Sequence, residues 1–100
     1  MNRSGVLTLI GEDPTAHGIF DKPTETERTV FCTIRSVGYN EFYRALEYDL
    51  HPTLVFTLAD YAEYQGEKIA VYEGKRYRII RTYETGGAIE LTCEEATIDG

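Results

Sequence analysis

The stretch Lys68–Tyr83, K-I-A-V-Y-E-G-K-R-Y-R-I-I-R-T-Y, decides how the rest of the chain is read. Ile69 and Val71 alternate with Lys68, Ala70 and Tyr72, then Glu73-Gly74 interrupts, and a second β-rich run passes through Tyr77, Arg78, Ile79, Ile80 and Arg81. Gly at a tight turn takes positive φ without a Cβ clash, so two such runs joined at Gly74 predict a β-hairpin. Ranking by hydrophobicity assigns Ile69, Val71 and Ile80 to the core.

Outward from the hairpin, further strands are predicted. Residues 88–95, A-I-E-L-T-C-E-E, alternate with Ile89, Leu91 and Cys93 on one face and Glu90, Thr92 and Glu94 on the other, after a turn at 84–87. Residues 53–59, T-L-V-F-T-L-A, are nearly all apolar, as a central strand is. Residues 28–37 place Val30, Cys32 and Ile34 inward, and Thr29, Phe31, Thr33 and Arg35 outward. Residues 5–10, G-V-L-T-L-I, predict a short strand with Val6, Thr8 and Ile10 on one face and Leu7 and Leu9 on the other. Between 39 and 50 the period changes: Tyr39, Phe42, Tyr43, Leu46 and Leu50 form a helical stripe, with Asn40 as N-cap. Pro52 sets the limit near Asp49-Leu50, because it disfavours helical geometry at His51. The aromatic stripe suits a helix lying as a lid on a barrel end. Residues 11–27, with two Pro, two Gly and many Asp, Glu and Thr, predict a long flexible loop. Residues 96–100 predict a frayed tail.

The fold class expected is mainly β: a single domain over residues 1–100, a small six-stranded antiparallel barrel or sandwich with one short helix after the second strand and a long N-terminal loop. Closure of the sheet removes the edges that a short all-β chain must otherwise protect. At 100 residues the core is small, and 42% apolar content speaks against disorder. Eight Tyr and four Phe, with no Trp, are a β-favouring aromatic set. A formal charge of −7 argues against autonomous binding of nucleic acid or of an anionic membrane. No apolar run approaches the ~20 residues of a membrane helix, and the apolar patch near the N-terminus is shorter than the h-region of a secretory signal, so synthesis in the cytosol is expected. Cys32 and Cys93 are then expected as buried free thiols.

Candidate chemistry is sparse. Lys75, Arg76, Arg78 and Arg81, with Tyr77 and Tyr83 interleaved, suit a single-stranded nucleic-acid surface, but Glu90 and Glu94 on the next strand can sit opposite Arg78 or Arg76 and neutralise it. Asp60, Glu63 and Glu67 match no EF-hand spacing and are expected to be a solvated connection, so no metal or other cofactor is assigned. His17 and His51 have no Cys, Ser or Asp in a recognisable motif, and no nucleophile elbow, zinc-protease, P-loop or dinucleotide fingerprint occurs, so an enzyme is not expected. Tyr61 and Tyr64 are expected to be exposed and suit subunit contacts, since Tyr buries area while keeping a polar tip.

The runs S-V-G-Y-N-E-F-Y-R-A-L, P-T-L-V-F-T-L-A-D-Y-A-E-Y-Q-G-E-K-I-A-V-Y-E-G-K-R-Y-R-I-I-R-T-Y and I-E-L-T-C-E-E resemble the head-closure proteins of long-tailed bacteriophages, also called head–tail adaptor, joining or stopper proteins. The resemblance covers Arg28 to Glu95 and rests on the helix after strand two, the apolar strand, and the hairpin residues Gly74, Tyr77 and Ile79. It implies a structural virion protein made in the bacterial host cytoplasm. Such proteins form a ring, usually dodecameric, beneath the portal and adaptor rings, where they close the DNA-filled head and receive the tail. The implied partners are further copies of the chain, the portal and adaptor ring, tail proteins, and genomic DNA that passes without sequence-specific binding. A loop projecting toward the channel is implied too; its candidate residues are Asp13, Pro14, His17, Ile19, Phe20, Asp21 and Lys22, with the Tyr39–Asp49 region as runner-up. Candidate subunit-contact residues are Phe42, Arg44, Tyr61, Tyr64 and Arg76. Other readings are a tail-completion or tail-terminator ring protein and an OB-like binding module.

Overall fold

At the tip of the decisive hairpin, Glu73 and Gly74 both take positive φ, 51° and 80°, as a two-residue type I′ turn requires. The computed structural model describes residues 3–13 and 24–96. The turn pairs Tyr72 with Lys75 and joins β4 (Ile69–Tyr72) to β5 (Lys75–Thr85). Gly86-Gly87 turns β5 into β6 (Ala88–Glu95) in the same way. The other strands are β1 (Arg3–Asp13), β2 (Thr24–Ser36) and β3 (Pro52–Leu58), with helix α1 (Tyr39–Leu46) between β2 and β3. All pairings are antiparallel, and the order β1-β2-β3-β6-β5-β4 closes into a barrel. The closing seam is short: Thr8, Leu9 and Ile10 of β1 meet Val71, Ala70 and Ile69 of β4.

The inner wall is apolar on every strand. Leu7 and Leu9, then Val30, Cys32 and Ile34, Phe56 and Leu58, Ala70 and Tyr72, Tyr77, and Ile89, Leu91 and Cys93 form one buried cluster. The rings of Tyr72 and Tyr77 meet Phe56 edge-on at 5.4 and 5.8 Å, a favoured aromatic arrangement. Both cysteines are free thiols, as expected. Burial pushes Cys32 up to about 11 and Cys93 up to about 12, because a thiolate loses its hydration there.

The faces of β1, β2 and β6 follow the sequence reading, whereas β4 reverses it. Ala70 and Tyr72 point inward and are buried, while Ile69 and Val71 are half-buried on the outer wall. The reason lies across the seam in β1. A Cβ on Gly5 would stand 2.8 Å from Ile34 Cδ1 and 3.1 Å from Tyr72 Cε1. Gly5 thus leaves a bare spot on the inner wall, and the Tyr72 ring fills it. Ile80 is not core either. It falls at a bulge between Ile79 and Arg81, where β5 has one residue more than β6 opposes.

Two boundaries differ from expectation. Residues 11–13 and 24–27, expected to be loop, continue the β1–β2 ladder through Gly11↔Thr26, Glu12↔Glu25 and Asp13↔Thr24. Beyond Ile10, β1 leaves β4, and β2 pairs with β3 only from Thr33 onward. Among the described residues the distal ladder is therefore a two-stranded arm projecting past the barrel, which matches the 47 Å long axis. Having no core to face, the arm alternates Thr with Glu, and that polarity reads as loop. Helix α1 also differs. Gly38 is its N-cap, without a side-chain bond, rather than Asn40, and it ends at Leu46. The next turn stops at Asp49, whose φ of 58° lies in the left-handed region. No α1 residue is buried. The helix lies against β3 on the outer wall and is not a lid on the barrel end.

Candidate functional site

The barrel mouth beneath the arm is closed by residues 61–67 instead. Arg28 follows the inward alternation of Val30, Cys32 and Ile34. Its Nε and Nη2 donate to Glu67 Oε2 at 2.9 and 2.5 Å, and Nη2 also donates to the Glu63 carbonyl. Glu67 Oε1 accepts from the Gln65 amide at 2.8 Å, and the Tyr64 hydroxyl donates to the Glu67 carbonyl at 2.5 Å. Asp60 caps the short 3-10 turn Tyr61–Glu63 by accepting from the Ala62 amide. Glu67 is thus a buried anion with a full set of partners, not part of a solvated connection. Burial first, and the Glu67 charge second, hold the Tyr64 hydroxyl above its ordinary range. The arrangement is a plug. Its polar atoms are consumed within the protein, and no group of three metal-ligating side chains occurs among the described residues.

The cations of β5 are partly neutralised, as expected for Arg78. Arg78 lies opposite Glu94 and forms an ion pair with it. Glu94 is buried, which works against its charge. The His51 amide at 3.0 Å and the Arg78 guanidinium outweigh that and hold its carboxyl below the usual range. Glu90 pairs with neither Arg76 nor Arg78. It shares Arg35 with Glu41, both at 3.6 Å, which ties α1 to β2 and β6. Lys75 reaches Glu95 at 3.7 Å.

Two features remain on the outside. Between α1 and the outer face of β5 and β6 runs a groove of about 570 Å³, bordered by Arg44, Tyr48, Leu50, Ile80, Arg81 and Tyr83. Val55 and Thr92, paired in register on this wall, are buried apart from the inner cluster. On the β1–β2 wall, Phe31 is 81% exposed beside its register partner Val6, 48% exposed. They border a cleft of about 660 Å³ that opens where β2 diverges from β3, with Thr33, Thr57 and Ala59 along it.

The candidate residues distribute as follows. Asp13 ends β1 opposite Thr24, so it belongs to the arm. Pro14, His17, Ile19, Phe20, Asp21 and Lys22 lie outside the described residues. Arg44 borders the α1 groove, and Phe42 is half-buried with its ring edge-on to exposed Tyr43 at 5.8 Å. Tyr61 is exposed on the mouth plug, its amide donating to the Gly87 carbonyl at 2.8 Å. Tyr64 is not exposed; it packs against the core. Arg76 is exposed on β5 without an ion-pair partner among the described residues. These residues do not converge on one point. The outward Phe31 was the overlooked signal: it is the one large apolar side chain among Thr29, Thr33 and Arg35 on that face. Among known proteins, no family model matches the sequence and no curated protein is similar to it.

Proposed function

We propose that the chain is a structural ring component of a long-tailed phage, at the head–tail interface, where it closes the DNA-filled head and offers the tail its attachment surface. The arm is the observation that carries the reading. A small closed barrel extends one β-ladder beyond the strands that flank it, from a base packed against Glu67, and its segments 11–13 and 24–27 contain four carboxylates and no cation. Such an arm can reach a channel axis from a ring, and its charge keeps passing DNA from adhering. The resemblance across Arg28–Glu95 points the same way. The barrel gains from neighbours in a closed ring, since binding stabilises the folded state.

The test is made on particles. Removing the gene from its parent genome is expected to give heads that package DNA and then lose it, together with free tails, and the supplied chain restores infectious particles. Intact, tailed, infectious particles without the chain would exclude the role. The mass of the ring on the particle separates the head-closure reading from a sixfold tail-completion ring.

A further inference from the structure

In a six-stranded barrel of order β1-β2-β3-β6-β5-β4, the β1–β2 wall stands directly across from the β6–β5 wall. Each wall carries what the other lacks. The first has a knob, Phe31 with Val6, and on the same face of β2 the exposed carboxylates Glu25 and Glu27. Neither carboxylate has an ion-pair partner among the described residues. The second has the groove of about 570 Å³, whose apolar lining includes Leu50, Ile80 and Tyr83. Glu41 and Glu90, which also line it, are held by Arg35, whereas Arg44 and Arg81 have no ion-pair partner among the described residues.

We propose that the occupant of the groove is a second copy of this chain. Phe31 of one copy enters the groove of the next, and Glu25 and Glu27 meet Arg44 and Arg81 at its rim. Along β2 Glu27 lies about 13 Å and Glu25 about 20 Å from Phe31, so the acidic segment extends from the knob toward and past the groove's rim. Pairing β2 with β2 of another copy is disfavoured, since it brings two acidic arms together. A knob and a groove on opposite walls make a head-to-tail contact, which continues from copy to copy and closes into a ring when the rotation permits. The contact deepens the ring reading above and rests on it only for that closure.

Sedimentation velocity of the intact chain up to millimolar concentration tests the contact. Mass is expected to rise with concentration and to fall back with added salt, as charge-assisted contacts do. Phe31→Ser and Arg81→Glu change exposed positions and leave the thermal midpoint unchanged. Each is expected to weaken association at least about tenfold, Phe31→Ser by removing a buried aromatic anchor and Arg81→Glu by setting like charges against Glu25 and Glu27. A mixture of the two variants should stop at a dimer, since only one productive knob–groove pair exists in it. A monomer at every concentration overturns the proposal. Association that Phe31→Ser leaves unchanged overturns it as well. In that case the virion role stands if Phe31→Ser particles remain infectious. Association through these faces, with normal particles from a genome lacking the chain, removes the virion role and keeps the contact.

Discussion

Glu94 shows how one carboxylate can bind three parts of the chain. It is carried by β6, accepts the His51 amide that leads into β3, and pairs with Arg78 of β5. Its carboxyl is held below the ordinary range, so its stabilisation is present above the unfolded value near pH ~4.3 and is lost as pH falls through the folded value. Glu94→Gln is expected to cost about 1–2 kcal/mol in urea unfolding near neutral pH, as loss of charge-assisted hydrogen bonds does. The difference from the parent should vanish in strong acid, where both chains are neutral at this position; a gap that persists there would exclude the linkage. At this scale the sequence is a partial guide. The Arg78–Glu94 pair was legible because a short hairpin fixes which residues face each other. The Arg28–Glu67 pair was not, because 39 positions separate its members and only barrel closure brings them together. Nor does hydrophobicity reveal that Tyr72 faces inward. That depends on the missing side chain at Gly5, on a strand paired to the other side of β4.

Beyond Ile10 the arm has, among the described residues, no strand partner other than its own two halves. Asp13 and Thr24 already stand opposite each other, the spacing that a two-residue turn bridges. Replacing residues 14–23 by Asn-Gly is therefore expected to leave the melting temperature within about 3 °C of the parent, below the shift of about 4–8 °C that ~1 kcal/mol produces in a domain of this size. A larger fall on thermal denaturation would assign those residues a structural part. Under the proposed role, particles built with the shortened arm would lose DNA. The strand cores were legible because alternation reports a half-buried sheet directly. The ends were not. The arm's Thr–Glu alternation has the right period but no apolar face, and composition overrode periodicity. For α1, Pro52 marked an outer limit, while the helix ends earlier, at Leu46, and the turn after it closes with Asp49 in the left-handed region, which Asp tolerates better than most residues but does not by itself signal.

For the whole molecule, the weak place is the seam. β1 and β2 share a ladder from Arg3↔Ile34 to Asp13↔Thr24, but β1 and β4 meet over three residues only. Few hydrogen bonds there hold a curved sheet closed, so partial opening should begin at that line. Hydrogen exchange is expected to be faster at Ile69–Val71 than at Phe56 or Leu91, which sit at the β3–β6 junction. Equal protection at both places would mean that the barrel opens only by unfolding entirely. Six strands could be counted from the sequence, but the closure of β4 on β1 could not, since some sixty residues and a helix intervene. The two thiols carry a different consequence. Cys93 is fully buried and Cys32 is 6% exposed at the edge of the cleft beside Phe31, and burial disfavours both thiolates, so both are expected to react slowly with maleimide dyes in the folded protein. A single new cysteine on the arm or beside the groove would then be the fastest attachment point for a fluorophore. The position of the arm could be followed optically without first rewriting the core.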